Sequence, residues 1–407
     1  MFNIRKLYTI LAALIFISLA ADVSAQSYVP GEVYYGRNNY TAYYAGELPL
    51  IFSAGHGGFL TPDEIPDRTY GTTVTDSRTI ETAMAIRAAV HDFTGKYPHL
   101  IISRLKRTKL DPNREIGEAA QGNQWAEQAW YEYHGFIDSA KDTVTKYYGR
   151  GFYVDVHGHG HSIKRLELGY LISSSMLFLT DSQLNTQTYI NMSSIRDLAG
   201  ESPDSFAELL RGSESLGTLF EDRGIPAVPS TNQPDPGSGN PYFSGGYSTY
   251  RHGSRDGGTI SGVQLEAHYT GIRNSSSNRE NFAEAFTEVL DIYFREHFGW
   301  DGLVSDVSEI TSIPHEFNLR QNYPNPFNMS TKIEFTVPHA GAVTINIYDI
   351  NGRKTAVLID QFTERGNHTF SWNAANNKDL SSGIYFCELT FSGSKNYRAV
   401  RKLTLVK

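Results

Sequence analysis

Cysteine is the scarcest residue of this chain, with one copy among 407 residues. A single cysteine excludes an intramolecular disulfide framework, a zinc site of four thiolates and a Cys-x-x-Cys redox motif. Basic charge is also limited, because 36 Lys and Arg face 44 Asp and Glu and leave a net charge of −8. That balance argues against a nucleic-acid partner, which needs a basic footprint. Any metal site must therefore be built mainly from His, Asp and Glu.

Long apolar runs are absent except near the start of the chain. Arg5 and Lys6 precede an apolar stretch, and Val23-Ser24-Ala25 then presents the small residues that a signal peptidase reads. The stretch is short for a membrane span, which needs about 20 residues. We therefore predict a signal peptide at residues 1–25 and a mature protein without a transmembrane segment.

The length allows two domains at about 100–200 residues each. Residues 26–300 alternate short apolar runs with amphipathic segments, which predicts an α/β domain with a mixed sheet flanked by helices. Residues 301–316 are predicted to be a polar linker. Residues 317–407 contain short alternating strands separated by Pro and Asn-Gly turns, which predicts a small all-β sandwich.

Hydrophobic periodicity places the main elements of the first domain. It predicts strands at 48–52, 99–105, 151–156, 166–173 and 262–269, and helices at 77–93, 115–148, 205–221 and 281–298. Residues 228–260 are rich in Gly, Pro, Ser and Tyr and are too long for an ordinary connection, which predicts a binding loop.

The C-terminal segment carries specific sequence motifs. They are FNLRQNYPNPFN (317–328), IYDING (347–352), SGIYF (382–386) and the terminal KLTLVK (402–407). This segment resembles the type A sorting domain of the type IX secretion system. The resemblance implies that the type IX secretion machinery is a partner and that the protein is secreted or held at the cell surface.

Polar motifs follow or lie on four predicted strands of the first domain. They are SAGHGG (53–58), KLDPNR (109–114), DVHGHGH (155–161) and QLEAH (264–268). Ligands of open α/β sheets bind outside the carboxyl ends of the strands. We therefore expect these motifs to converge on one cleft.

His56 and His157 are the leading metal-ligand candidates, because each lies where a strand meets a Gly-flanked turn. Catalytic zinc commonly has two His and one carboxylate as ligands, with the fourth position open to water. The sequence leaves the carboxylate open between Asp76, Glu64 and Asp67. Asp76 has an alternative interpretation as a simple helix N-cap.

Glu266 is a carboxylate within an otherwise largely apolar strand, where a charge is costly unless it is used or paired. Beside a metal-bound water it would act as a general base, and the alternative is a structural salt bridge. Arg114, next to Asn113, offers a planar fork for a substrate carboxylate or an oxyanion. Arg107 is a weaker candidate for the same role, and His159 is expected to orient the site or contact substrate.

A second resemblance involves the order of these motifs: HGG (56–58), TDSR (75–78), DPNR (111–114), DVH (155–157), GGY (245–247) and QLE (264–266). Together they resemble the N-formylglutamate amidohydrolases, which belong with the zinc carboxypeptidase and aspartoacylase fold. The resemblance implies zinc on His56, His157 and a carboxylate, Glu266 as base, and Asn113 with Arg114 binding substrate.

Two further implications concern the loop and the carboxylate. Gly245-Gly246-Tyr247 and Arg251-His252-Gly253 look like the glycine-aromatic substrate loop of the family, which makes Tyr247, Arg251 and His252 substrate-binding candidates. Asp76 occupies the position of the family's acid. Carboxypeptidase-type sites have His-x-x-Glu, whereas position 59 here is Phe59, so Glu64 stays an alternative carboxylate ligand.

These observations predict a secreted zinc amidohydrolase that cleaves an amide of a small carboxylate-bearing substrate, such as an N-acyl amino acid. A metallocarboxypeptidase acting on peptide C-termini would use the same residues. A non-catalytic surface-binding module on the same fold is the alternative of another class.

Overall fold

A computed structural model describes residues 28–304, 317–337, 341–363, 366–374, 380–392 and 396–406. Residues 28–304 are called the α/β unit and residues 317–406 the C-terminal unit. The predicted signal peptide at 1–25 and most of the predicted linker at 301–316 lie outside the described residues.

An eight-stranded mixed sheet forms the centre of the α/β unit. Its strands are β1 (Val33–Tyr35), β2 (Thr41–Tyr44), β3 (Leu50–Ala54), β4 (His99–Ser103), β5 (Gly151–His159), β6 (Leu166–Gly169), β7 (Ala227–Val228) and β8 (Ile260–His268). They lie in the order β1-β2-β4-β3-β5-β8-β6-β7. The four central strands β4, β3, β5 and β8 are parallel, so their carboxyl ends share one edge of the sheet.

Helices cover both faces of this sheet. They are α1 (Thr79–Thr94), α2 (Ile116–Ala120), α3 (Gln124–Tyr148), α4 (Ser174–Leu177), α5 (Asp181–Leu184), α6 (Gln187–Met192), α7 (Arg196–Glu201), α8 (Phe206–Arg211), α9 (Leu216–Glu221), α10 (Tyr247–His252) and α11 (Ser276–Tyr293). Single turns of 3-10 helix occur at Arg37–Asn39 and Gly302–Val304, and of π-helix at Tyr269–Arg273 and Phe294–Phe298.

Alternation along β3 shows how the two faces are used. Phe52 belongs to the core cluster that contains Phe286 of α11, whereas Ile51 belongs to a different cluster with Ile137 of α3. Successive strand side chains point to opposite faces, so a strand covered on both sides is apolar almost throughout. The predicted mixed sheet flanked by helices is confirmed. Among the described residues, no helix combines the length and apolar composition that crossing a membrane requires.

Two predicted helices are each divided in the structure. The segment 115–148 is interrupted at Gly122, which has a φ of +79°, a conformation that favours glycine. Asn123 then caps α3 by accepting hydrogen bonds from the backbone N–H groups of Trp125 and Ala126. The segment 205–221 is divided into α8 and α9, where the Ser215 side chain caps the second helix. Local capping therefore outweighs the continuous apolar periodicity in both segments.

The strand that contains the HGHGH run is longer than the sequence predicts. The glycines favour a turn after His157, but β5 continues to His159 because β8 pairs with it up to His268. The strands β1 and β2 extend the sheet at one edge, and the sequence does not predict them. The extension of β5 matters because it carries His159 onto the edge where the polar motifs meet.

The C-terminal unit consists of antiparallel sheets. One contains β9 (Asn318–Leu319), β10 (Ser330–Val337) and β13 (Gly366–Asn373), and the other contains β11 (Gly341–Tyr348), β12 (Lys354–Thr363), β14 (Gly383–Ser392) and β15 (Asn396–Leu405). Apolar side chains from both sheets share one core, as the predicted sandwich requires. Cys387 lies in this core, and burial raises the pKa of its thiol to about 12. The thiol is therefore a packing group.

One buried histidine of the α/β unit is held in its neutral form. The Nδ1 atom of His99 accepts hydrogen bonds from the hydroxyl of Tyr43 at 2.8 Å and from the backbone N–H of Gly46 at 3.1 Å. Burial lowers the pKa of His99 to about 3, because the charged ring would lose the solvation that water gives it in the unfolded chain.

We expect the free energy of unfolding to fall as the pH is lowered from about 6.5 towards 3. In this range the unfolded chain binds a proton at His99, whereas the folded chain keeps this ring neutral. One such group contributes at most about 1.4 kcal/mol per pH unit. His99→Asn should remove this component, whereas His91→Asn, which alters a partly exposed ring, should not. Urea unfolding at pH 7.0 and 4.5 measures it, and equal pH slopes for wild type and His99→Asn would contradict it.

Candidate active site

The two leading histidines meet at the carboxyl edge of the sheet. His56 follows β3, and His157 lies near the end of the neighbouring parallel strand β5. Both side chains are buried, and their ring centroids are 4.6 Å apart. Parallel pairing of β3 with β5 thus brings together two imidazoles that are about one hundred residues apart in sequence.

Asp76 completes this group. Its Oδ2 atom lies 3.2 Å from the Nδ1 atom of His56 and 3.2 Å from the Nδ1 atom of His157. The loop that carries Asp76 is fixed by its backbone N–H, which donates to the carbonyl of His56 at 3.1 Å. His56, Asp76 and His157 form a group that could hold a metal ion. Two imidazoles and one carboxylate are a common donor set for catalytic zinc.

The far nitrogens of both rings face buried carboxylates. The Nε2 atom of His56 lies 2.6 Å from Asp111, and the Nε2 atom of His157 lies 2.8 Å from Asp155. Because an ionised carboxylate only accepts, each Nε2 carries a hydrogen, and the Nδ1 lone pair of a neutral ring is then free for a metal. Histidine ligands in metalloproteins are usually held by such partners. The residues present therefore fit a bound divalent metal.

Arg107 is buried and contacts two carboxylates of the site, Asp111 and Asp76. Its guanidinium donates to Asp111 at 2.9 Å and lies 3.4 Å from Asp76. Burial by itself would raise the pKa of both carboxylates. His56 and His157 nevertheless hold the pKa of Asp76 well below its usual range, and His56 together with Arg107 does the same for Asp111. Arg107 thus contacts the acids of the site, which is different from the substrate contact expected of it.

Glu266 lies directly beside His157, because the two residues are paired in the β5–β8 register. Its side chain is buried, and Oε1 accepts a hydrogen bond from the Gln264 side chain at 2.8 Å. Burial raises the pKa of Glu266 to about 7, and the neighbouring charges of Asp76 and Glu167 act in the same direction while His157 opposes them. A carboxylate with such a pKa can both take up and release a proton near neutrality.

Asn113 lies at the centre of the substrate-binding candidates. Its side-chain Nδ2 is 3.4 Å from the Nε2 of His157, and its Oδ1 accepts the backbone N–H of Ser248 at 2.8 Å. A Cβ atom at Gly246 would come within 2.4 Å of the Asn113 side chain, so glycine is required for this approach. The Gly-Gly-Tyr loop is therefore packed onto Asn113.

Arg114 is partly exposed to solvent. It donates to the carbonyl of Asn113 at 2.7 Å and lies 3.3 Å from Glu118, and its side chain is 35% exposed. An Arg guanidinium has five N–H donors, so these contacts leave donors for a ligand carboxylate.

The other loop candidates contact α3. The Tyr247 ring lies 5.5 Å from the His134 ring, Arg251 pairs with Asp138 at 3.1 Å, and His252 is buried with its Nε2 2.8 Å from the Nδ1 of His134. Arg251 and His252 thus contact α3, and the His252 ring also packs against Tyr153 of β5, whereas no described contact joins either residue to the His56–Asp76–His157 group.

The alternative carboxylates lie elsewhere in the α/β unit. Glu64 forms two hydrogen bonds with Arg37, at 2.6 and 2.9 Å, and Asp67 pairs with Lys109 at 3.0 Å. Of the three carboxylates that the sequence left open, the structure brings Asp76 to the two histidines.

Arg273 also lies in this region, and the sequence does not predict it as a site residue. Its buried guanidinium donates to the carbonyls of Ala267 at 2.9 Å, of His159 at 3.1 Å and of Ser77. It passes over Gly158, where a Cβ atom would come within 2.2 Å of the guanidinium carbon. Arg273 thus ties the Asp76 loop to β5 and β8, and no local motif signals such a long-range contact.

Comparison with known families identifies the C-terminal unit. The family described as a secretion system C-terminal sorting domain matches residues 321–404. The sorting domain predicted from the sequence motifs is therefore confirmed, and it indicates a protein that the type IX secretion machinery delivers outside the cell or to its surface. No curated protein matches the chain.

Solved structures show weak similarity over most of the chain. The gene product Atu2144 from Agrobacterium tumefaciens is 12% identical, covers 61% of this chain and 93% of its own, and has a TM-score of 0.37. The N-formylglutamate amidohydrolase from Ralstonia eutropha JMP134 is 10% identical, covers 67% of this chain and 100% of its own, and has a TM-score of 0.39. At these TM-scores the similarities do not establish an activity, so the chemistry rests on the residues of the site.

Proposed function

We propose that the α/β unit is a zinc-dependent amidohydrolase that is exported by means of its C-terminal sorting domain. The observation that supports it most strongly is the pair of imidazoles whose Nδ1 atoms face Asp76 while their Nε2 atoms are held by Asp111 and Asp155. That arrangement suits a divalent metal, and two His with one carboxylate favour zinc.

The residues of the chain have distinct tasks in this proposal. Bound zinc would lower the pKa of its water to about 7 and polarise the scissile carbonyl. Glu266 accepts a proton from the attacking water and returns it to the nitrogen of the leaving amine. Asn113 and Arg114 orient the substrate by its free carboxylate.

The substrate class follows from Arg114 and from the exported location. A partly exposed guanidinium beside the site favours a small amide that carries a carboxylate, such as an N-acyl amino acid. Release of acyl groups from N-acyl amino acids, without release of C-terminal residues from unmodified peptides, would separate this proposal from a carboxypeptidase. Failure to hydrolyse either class in the zinc-loaded protein would favour the non-catalytic alternative.

The carboxylate ligand can be tested by metal content. We expect Asp76→Asn to lose the zinc held by His56 and His157, because a neutral amide is a poor zinc ligand. Glu64→Gln is the matched control and should keep it, since Glu64 pairs with Arg37. Elemental analysis after dialysis against limiting zinc measures both, and retention of this zinc by Asp76→Asn would refute the assignment.

Glu266→Gln tests the general base. It should keep the zinc of the site but lower kcat by about 10²–10⁴-fold, because a neutral amide cannot accept the proton of the water. Glu288→Gln, which changes an exposed carboxylate of α11, should have normal turnover. Steady-state hydrolysis of an N-acyl amino acid is the measurement, and near-normal rates for Glu266→Gln would show that the base is another residue.

Arg114→Ala tests recognition of the carboxylate. We expect KM for an N-acyl amino acid to rise about 10–100-fold, since a hydrogen bond to a charged group contributes about 1.5–3 kcal/mol. The same substrate with its carboxylate converted to an amide should show little change in KM. Arg104→Ala, which removes a guanidinium bound to the Asn39 carbonyl, is the control. Equal effects on both substrates would contradict the role.

A further inference from the structure

A second group of side chains that could hold a metal ion lies beside the proposed site and supplies none of the ligands proposed there. It consists of His159, His161 and Glu167, whose candidate ligand atoms all lie within 4.8 Å of one another. The ring centroids of the two histidines are 4.8 Å apart, and the Nδ1 atom of His161 is 2.8 Å from Oε1 of Glu167. His159 and His161 are the part of the HGHGH run that the proposed hydrolysis does not use.

Backbone groups hold the outer atoms of two members of this group, His159 and Glu167. The Nε2 atom of His159 donates to the carbonyl of Arg165 at 2.8 Å, which leaves its Nδ1 unprotonated. That Nδ1 meets the backbone N–H of His161 at 3.2 Å, the long end of the hydrogen-bond range. The far oxygen of Glu167 accepts the backbone N–H of Phe243 at 2.9 Å. Such outer contacts orient ligands of metal sites.

The local charge is compatible with a bound cation. Glu167 is 0% exposed and Glu266 is 4% exposed, and they are direct partners in the pairing of β6 with β8. Within the described residues, the only side chain that forms an ion pair with Glu167 is His161, and the buried guanidinium groups of Arg165 and Arg273 attract Glu167 and Glu266 from farther away. Two buried carboxylates at neighbouring positions repel each other unless a positive charge compensates them.

We propose that His159, His161 and Glu167 form a second metal site, distinct from the His56–Asp76–His157 group, that binds a divalent transition metal such as Zn²⁺. Imidazole ligands favour zinc and its transition-metal neighbours over Mg²⁺ and Ca²⁺. His161 is 22% exposed at its side chain and provides the path of entry.

The position of the second site gives it a structural role. The strand order β5-β8-β6 places Glu266 between the strand of His157 and the strand of Glu167. A cation on Glu167 would offset its repulsion of Glu266 and join the turn after β5 to β6. In this assignment His159 is a metal ligand, which replaces the substrate contact expected from the sequence.

Metal stoichiometry tests the proposal. The purified tag-free protein is stripped with a chelator, reconstituted with Zn²⁺, dialysed and measured by elemental mass spectrometry. We expect two equivalents for the wild type, one for His161→Gln, one for Asp76→Asn and none for the double variant. His91→Gln, on the outer side of α1, is the matched control and should keep two equivalents.

The outcomes separate the two sites. One equivalent in the wild type that Asp76→Asn removes and His161→Gln leaves unchanged would overturn the second site and leave the proposed function intact. One equivalent lost only in His161→Gln would support the second site and count against the proposed hydrolytic centre. Glu167→Gln should also lose one equivalent, and an apo melting temperature that is not lowered in either variant shows that the loss is not unfolding.

Discussion

The site depends on two buried hydrogen bonds that an imidazole donates to a carboxylate, from Nε2 of His56 to Asp111 and from Nε2 of His157 to Asp155. Each bond keeps a hydrogen on Nε2 and turns the Nδ1 atom towards Asp76. Buried carboxylates are costly without partners, and the fold supplies further ones: Arg107 donates to Asp111, and the Ser53 hydroxyl donates to Asp155 at 2.6 Å. Removing either carboxylate would take away the partner that orients an imidazole, so these acids matter to the geometry of the site as much as Asp76 does.

The sheet carries this arrangement because its central strands are parallel and end together. β3, β5 and β8 bring His56, His157 and Glu266 to one edge, and Arg273 ties the loop of Asp76 to that edge through backbone carbonyls. The same edge extends to β6, where the second histidine and carboxylate group lies. The C-terminal unit has its own core and its own task, since its family match indicates export.

Much of the α/β unit was predictable because its strands and helices are long and strongly periodic. The strands near 50, 100, 151 and 262 and the helix near 79–94 were all expected within a few residues. The breaks at Gly122 and Ser215 were missed because a glycine and a capping serine act locally within an apolar pattern. The continuation of β5 through His159 was missed because pairing with β8, over one hundred residues away, stabilises it.

The sequence by itself restricted any metal site to His and carboxylate ligands, because the chain has one cysteine, and its C-terminal motifs identified the sorting domain. It also singled out His56, His157 and Glu266, because residue types at strand ends are local information. Only the tertiary structure decided which carboxylate meets the histidines, because Asp76 and Glu64 carry the same functional group and differ in whether their loops lead to His56 or to Arg37. It likewise directed Arg251 and His252 to α3 and brought His161 to Glu167, since such contacts depend on where distant segments cross.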